Sequence, residues 1–199
     1  MLFKDPLHWF PDPYFSTILA AFVFGMYVID YSVPKALAQR RPNQPILVQD
    51  RSSFLIIQVT GIAAIAAAIA FRYLNWTIAP GAVQYIGLLL IPAGLGVREW
   101  AVIKLGRFFS RTVQIEPGHQ LITDGPYRWI RHPAYTGMVL IYLGIALAVG
   151  TWLGGVVTLG LMLAATTYRI GIEEQVLIEA FGNAYRDYMK HTWRLFLGW

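Results

Sequence analysis

Five apolar stretches run through this chain at lengths that a bilayer demands and a soluble core does not. A spanning helix needs about 20 largely apolar residues, with a working range of about 17–25. The stretches run from about Pro13 to Ile29, Ser53 to Phe71, Val83 to Ile103, Pro133 to Val149 and Thr151 to Tyr168. The first lacks charge until Asp30, and the third carries Pro92 in its middle and Arg98-Glu99 in its last third. Flanking Trp, Tyr, Lys and Arg suit the interface and extend the shorter cores. Strands would alternate with period two, which these runs do not. Charged residues make up only 14% of the chain against 56% hydrophobic. A soluble domain carries roughly 25% charge, so this chain cannot cover a soluble surface. The first stretch does not read as a cleaved signal, because Lys4-Asp5 is a poor basic flank and no small-residue cleavage site follows.

The expected fold is therefore all-α. It is a polytopic membrane protein with five transmembrane helices in one domain, 1–199. Only Gly150-Thr151 separates the fourth and fifth stretches, so those two helices must form a tight antiparallel hairpin. Gly150, Gly154 and Gly155 permit close backbone approach there. All of the 16 basic residues except Lys4 and Arg72 fall after span one, at the end of span three and its following loop, or in the tail from Arg169. The positive-inside rule then places the N-terminus outside and the C-terminus in the cytoplasm, which requires an odd number of spans. Topology and membrane-surface attraction account for the net charge of +5, and no feature argues for nucleic acid. The absence of Cys excludes disulfides, thiolate metal sites and Cys nucleophiles.

The unusual residues gather on the cytoplasmic side, in Gln114 to Tyr135 and in Arg169 to Trp199. A tight hairpin brings the start of span four beside the end of span five. Arg131-His132-Pro133-Ala134-Tyr135 should thus face Arg169 to Glu174. Pro133 suits the first position of a helix, with His132 at the cap. The free N–H groups of such a helix start suit an anion. Gly118, Gly125 and Pro126 mark turns around His119-Gln120-Leu121-Ile122, a short extended run that can offer backbone groups to a planar ligand. An ordinary interfacial loop, with Tyr127, Trp129 and Tyr135 as belt aromatics, is the competing reading.

Arg169 and Glu173 are four apart and share a helix face, either as a structural ion pair or as a functional set. Glu173 and Glu174 point about 100° apart, so only one can easily face the hairpin partner. Arg98-Glu99 reads best as a structural pair or as side chains snorkelling to the interface. An anion site, a carboxylate for a cation and a guanidinium together suit a zwitterionic ligand with a separate anionic partner. The tail residues Val176, Leu177, Ala180, Phe181, Tyr185, Tyr188 and Met189 recur at helical spacing, with Gly182 as the weak point. They predict an amphipathic helix at the cytoplasmic membrane surface.

The motifs G-H-Q-L-I-T-D-G-P-Y (Gly118 to Tyr127), R-H-P-A-Y (Arg131 to Tyr135), E-E (Glu173-Glu174), F-G-N-A-Y-R-D-Y (Phe181 to Tyr188) and R-L-F (Arg194 to Phe196) occur in order around the hairpin. In this the chain resembles the isoprenylcysteine carboxyl methyltransferase family and the wider group that includes membrane phospholipid methyltransferases. The resemblance covers about half the chain, from near Phe108 to the end. It implies that 108–199 is the cofactor-binding half and that 1–107, holding spans one to three, helps shape the acceptor tunnel. It implies S-adenosylmethionine as cofactor, bound at the cytoplasmic face. Carried over by motif, His119, Gln120, Leu121 and Ile122 line the adenine end, largely through backbone, Gln114 aligns with a further cofactor contact across a small gap, and Tyr127 helps enclose the cofactor. His132, Pro133, Ala134 and Tyr135 hold its methionine part, Glu173 binds its ammonium, and Arg169 is the catalytic and substrate-binding residue that orients the acceptor carboxylate. Leu197 stands where the family often has Pro.

The implied activity is methyl transfer to a lipophilic or lipidated acceptor, an isoprenylcysteine-like carboxylate, with no metal and no nucleic acid involved. A phospholipid-type N-methyltransferase, a non-catalytic membrane protein and a small transporter are the alternatives. Ionisable residues clustered at one face speak against the transporter.

Overall fold

A computed structural model describes residue 10 and residues 14–37, 49–50, 52–115 and 118–196. The chain is α-helical: α1 (Phe15–Leu37), α2 (Ser52–Tyr73), α3 (Gly81–Leu105), α4 (Pro133–Ala148), α5 (Trp152–Phe181) and α6 (Asn183–His191). Two two-residue strands, β1 (Gln49–Asp50) and β2 (Val113–Gln114), pair antiparallel, Gln49 opposite Gln114. Helices α1, α2, α3 and α5 are long and apolar enough to cross a membrane, whereas α4 is a shorter apolar helix.

The centre of the fold is the α3–α4 contact, and glycine makes it. A Cβ on Gly94 would lie 2.6 Å from the Gly137 carbonyl oxygen. One on Gly87 would lie 2.6 Å from the Gly144 carbonyl and 2.5 Å from the Ala148 nitrogen. The two backbones therefore touch along their length, as small residues allow in helix pairs without a hydrophobic driving force. Glycine spacing of seven on both helices keeps these positions on one face. The pair is antiparallel. Arg98 near the end of α3 reaches the Ala134 carbonyl at 3.4 Å, and Gln84 near its start donates to the Ala148 carbonyl at 3.2 Å.

Helix α2 runs antiparallel along α5. Ser53 meets Arg169, Thr158 donates to the Ala64 carbonyl at 3.4 Å, and a Cβ on Gly154 would lie 2.9 Å from Ala68. Gly154 thus serves α2, not the α4–α5 contact expected of it, while Gly155 does approach Leu147 of α4. The α4–α5 link turns at Gly150, whose φ of +90° favours a residue without Cβ. Helix α1 lies along α3, with Phe15 and Leu19 packed on Leu88, Ile91 and Ala148. Its outer residues, such as Phe24 and Tyr27, are exposed.

The tail differs from a single amphipathic helix. Helix α5 continues to Phe181, Gly182 breaks it at φ 59°, and α6 follows. Arg169 to Phe181 are therefore rigid extensions of α5.

Candidate functional site

A cavity of about 310 Å³ opens where α4 begins and α5 leaves the apolar bundle. That size falls within the range of small-molecule pockets, roughly 300–1,000 Å³. Its walls come from all parts of the chain. Met26, Tyr27 and Asp30 of α1 and Phe54, Ile57 and Gln58 of α2 line it together with the loop and hairpin residues.

Tyr135, one turn into α4, joins the two charges of α5. Its hydroxyl donates to Glu173 Oε2 at 2.7 Å and accepts from Arg169 Nε at 2.6 Å. Arg169 and Glu173 are thus linked through a phenol of the facing helix and do not form a direct ion pair. Arg169 is 3% exposed, and its other donors are engaged too. Nη1 donates to Ser53 Oγ at 2.7 Å and Nη2 to the Arg111 carbonyl at 2.6 Å. One side chain therefore ties α5 to α4, α2 and the loop after α3. Glu173 makes its hydrogen bond through Oε2, which leaves Oε1 without a protein partner among the described residues.

Glu174 faces α4 as well, against the expectation that one carboxylate at most would. It takes hydrogen bonds from Arg131 Nε at 3.0 Å, His132 Nε2 at 3.3 Å and Arg194 Nε at 3.0 Å. Glu173 meets Tyr135 inside α4, whereas Glu174 meets Arg131 and His132 just before it, so the two adjacent carboxylates reach different parts of the hairpin partner. A buried carboxylate persists when charged partners surround it, and Glu174 is 3% exposed.

The tail after α6 docks on the segment that enters α4. The Arg131 and His132 N–H groups donate to the Trp193 and Arg194 carbonyls at 2.7 and 3.2 Å. Arg131 Nη1 also binds the Met189 carbonyl at 3.0 Å. Tail and hairpin form one unit.

His119 stacks on Phe108 with ring centroids 4.6 Å apart and meets Phe181 edge-on at 5.8 Å. These rings make an aromatic wall beside the extended run Gln120, Leu121 and Ile122, which also lines the cavity. Tyr127 is buried, its hydroxyl 3.4 Å from the Ala101 carbonyl, and its own carbonyl accepts from Tyr188 at 2.6 Å. Burial raises the Tyr127 phenol well above its ordinary value, and the nearby Glu173 charge adds to this. The Tyr188 phenol is pushed up to about 12, again by burial. Both remain neutral donors at physiological pH.

His119, Gln120, Leu121, Ile122, Tyr127, His132, Ala134, Tyr135, Arg169 and Glu173 all line the cavity. Pro133 is buried beneath the helix start, and Gln114 is placed by its backbone in β2. Leu197 and Trp199 lie outside the described residues.

The residues that sequence reasoning missed come from the first half. Arg98 does not pair with its neighbour Glu99. It donates to Asp30 Oδ1 of α1 at 2.5 Å, because successive residues point to different helix faces. Glu99 is buried at 9% exposure, and neither carboxylate oxygen has a hydrogen-bond partner among the described residues. Arg111 donates to the Asp30 carbonyl at 2.6 Å. The one signal in the sequence was Asp30 itself, a lone acid closing an apolar run. Among the described residues, no group of three His, Asp or Glu side chains is placed to hold a metal ion.

The model of the isoprenylcysteine carboxyl methyltransferase (ICMT) family matches residues 86–179. "Probable protein-S-isoprenylcysteine O-methyltransferase" of Oryza sativa subsp. indica is 34% identical over 108 residues, 53% of this chain and 56% of that protein. The protein-S-isoprenylcysteine O-methyltransferase of Tribolium castaneum is 30% identical over 188 residues, 88% of this chain and 64% of that protein. The chain thus spans less than two thirds of the length of either relative. The solved structure of the eukaryotic intramembrane Ras methyltransferase ICMT matches with a TM-score of 0.67 at 24% identity, covering 95% of this chain and 70% of that one, and shares the fold. Four helices of spanning length on a fold shared with an intramembrane protein make this a multi-pass integral membrane protein.

Proposed function

We propose that the chain is a member of the isoprenylcysteine carboxyl methyltransferase family, whose model matches residues 86–179, and that it transfers a methyl group from S-adenosylmethionine to the carboxylate of an isoprenylcysteine-like lipophilic acceptor. The observation that carries this reading is the Glu173–Tyr135–Arg169 chain on the cavity wall. It sets a carboxylate for a cationic donor and a guanidinium for an anionic acceptor about one phenol apart.

The residues present fit the cofactor. Glu173 offers a carboxylate oxygen for its ammonium, the His119, Phe108 and Phe181 rings offer a wall for adenine, and Gln120, Leu121 and Ile122 offer an extended backbone beside it. Tyr127, His132, Ala134 and Tyr135 close the remaining sides, with Pro133 shaping the helix start. Gln114 is assigned by resemblance. S-adenosylmethionine supplies a methyl group already activated by its sulfonium.

The chain's own task is positioning. Tyr135 fixes the Glu173 carboxylate by its hydrogen bond. Arg169 fixes Tyr135 and the Arg111 carbonyl, and its guanidinium lends positive charge to the side of the cavity where the acceptor carboxylate sits. A carboxylate is nucleophilic as it stands, so no residue has to remove a proton. Holding donor and acceptor in line supplies roughly 7–11 kcal/mol of the barrier. Tyr185, Tyr188 and Phe181 of the tail cover the cavity and exclude water, which strengthens every charge inside.

The membrane arrangement supports the same reading. We infer five crossings, with α4 among them. Its contacts run from Arg98 to Gln84 and so follow α3 from the cavity end to the opposite end. Exposed Trp76 and Trp152 mark that opposite end, and exposed Trp100, Trp129 and Trp193 mark the cavity end, as interfacial belts do. Helices α4 and α5 are then the transmembrane hairpin, and the tail through α6 lies at the surface. Residues 1–199 act as one domain, with 108–199 holding the cofactor and 1–107 shaping the acceptor side. The cavity and the C-terminus face the cytoplasm.

The test uses purified protein, S-adenosylmethionine with a radioactive methyl group and an N-acylated S-prenylcysteine. A carboxyl methyl ester releases its label as volatile methanol in base. Base-labile product is the expected result. Base-stable label on an amine phospholipid, with none on the prenylcysteine, would overturn the carboxyl assignment.

A further inference from the structure

The cavity wall holds a second guanidinium whose hydrogen-bond donors are only partly engaged. Arg111 follows α3, and its carbonyl is clamped by Arg169 Nη2 at 2.6 Å. Its side chain reaches the Asp30 carbonyl at 2.6 Å and the Asp30 carboxylate only at 3.7 Å. That carboxylate is already held by Arg98 at 2.5 Å. The Asp30 carboxylate therefore faces two guanidiniums and holds Arg98 more closely than Arg111.

Arg111 also has the capacity that Arg169 lacks. The Arg169 side chain is 3% exposed with Nε, Nη1 and Nη2 all engaged. The Arg111 side chain is 37% exposed and lines the cavity. Its Nε and Nη1 make no hydrogen bond among the described residues, and the Tyr31 ring lies 5.8 Å from its guanidinium. A guanidinium with two donors in its plane can grip a carboxylate side-on.

We propose that Arg111 is a positioning residue that grips the acceptor's carboxylate, with Asp30 and Arg98 holding its side chain at the cavity wall. This rests on the methyl-transfer reading given above. Arg169 sets where Arg111 sits by holding its carbonyl. One acceptor oxygen is held while the other faces the donor. Methylation removes the negative charge, so the ester loses this partner and leaves.

The test is a binding ratio and needs no turnover. Affinities of an N-acylated S-prenylcysteine and of its methyl ester are compared in maltoside detergent, with S-adenosylhomocysteine bound. Wild type should prefer the carboxylate by at least tenfold, about 1.4 kcal/mol. Arg111→Gln should bring the ratio near one, and Arg111→Lys should leave it between. S-adenosylhomocysteine affinity and melting temperature should not move. An unchanged ratio in Arg111→Gln overturns the inference, as does a joint fall in cofactor affinity and stability. A ratio that changes only in phospholipid nanodiscs assigns the anion to a lipid phosphate and overturns it too. Wild type that binds neither prenylcysteine form contradicts the functional reading itself, which is a separate result.

Discussion

Arg169 of α5 donates to the hydroxyl of Tyr135 of α4 at 2.6 Å, and through that hydroxyl it meets the Glu173 charge one turn further along its own helix. The residue expected to orient the acceptor and the residue expected to bind the cofactor are thus one hydrogen-bonded unit. Disturbing either end reaches the other.

Tyr135→Phe keeps the ring and removes the link. The Glu173 carboxylate then loses its donor and Arg169 Nε loses its acceptor. Cofactor affinity should fall about tenfold, the worth of roughly one hydrogen bond to a charged group. Calorimetric titration with S-adenosylhomocysteine in detergent checks this, and unchanged affinity would remove Tyr135 from the cofactor site.

Arg169→Lys tests how far the fold depends on this one side chain. The lysine cannot serve Tyr135, Ser53 and the Arg111 carbonyl together, and a buried group left unpaired costs about 1–3 kcal/mol. Turnover and melting temperature should fall together. A variant that melts like wild type while turnover collapses would show that the three bonds contribute little to the fold.

The two adjacent carboxylates should fail differently. Glu174→Gln leaves Arg131 and Arg194 without their buried counter-charge. Stability should drop by about 3–5 kcal/mol. Glu173→Gln touches only the Tyr135 bond, so it should weaken S-adenosylhomocysteine binding with a small change in melting temperature. Parallel thermal melts and titrations on both variants decide this. Equal stability losses would refute the division of roles.

The α3–α4 seam predicts a sharp contrast between two glycines of one helix. Gly94→Val meets the Gly137 carbonyl oxygen at 2.6 Å and the Ile141 nitrogen at 2.9 Å. Overpacking against backbone should cost at least about 1–3 kcal/mol. Gly96 has nothing within 4 Å, and Gly96→Ala should be neutral or slightly stabilising. Melting temperatures of the two variants in the same detergent test the pair.

Orientation is tested by fusions. A reporter after Trp199 should signal cytoplasm and one before Met1 the opposite side. Both termini on one side would mean that α4 does not cross the bilayer.

The helices and the strip of chemistry were legible from residue order alone. Apolar run length depends on composition alone, so α1 to α5 were readable to within a few residues at most ends. The exceptions were α5, which runs on to Phe181, and α1, which runs on to Leu37. The proximity of Arg131–Tyr135 to Arg169–Glu174 followed from a connection too short to allow anything else.

Helical spacing could not show which partner each charge takes. Arg98 is beside Glu99 in sequence yet binds Asp30 across the bundle. Arg131 and His132 lead into the hairpin helix in sequence, yet their N–H groups bind the Trp193 and Arg194 carbonyls of the tail. Gly154 sits in the hairpin yet packs on α2. These pairings join residues far apart in the chain, and they depend on how the helices are rotated against one another. That rotation is set by backbone contact at Gly87, Gly94, Gly137 and Gly144. Only the packed structure satisfies all of those contacts at once, and it alone decided which donors are engaged and which, like Nε and Nη1 of Arg111, remain available.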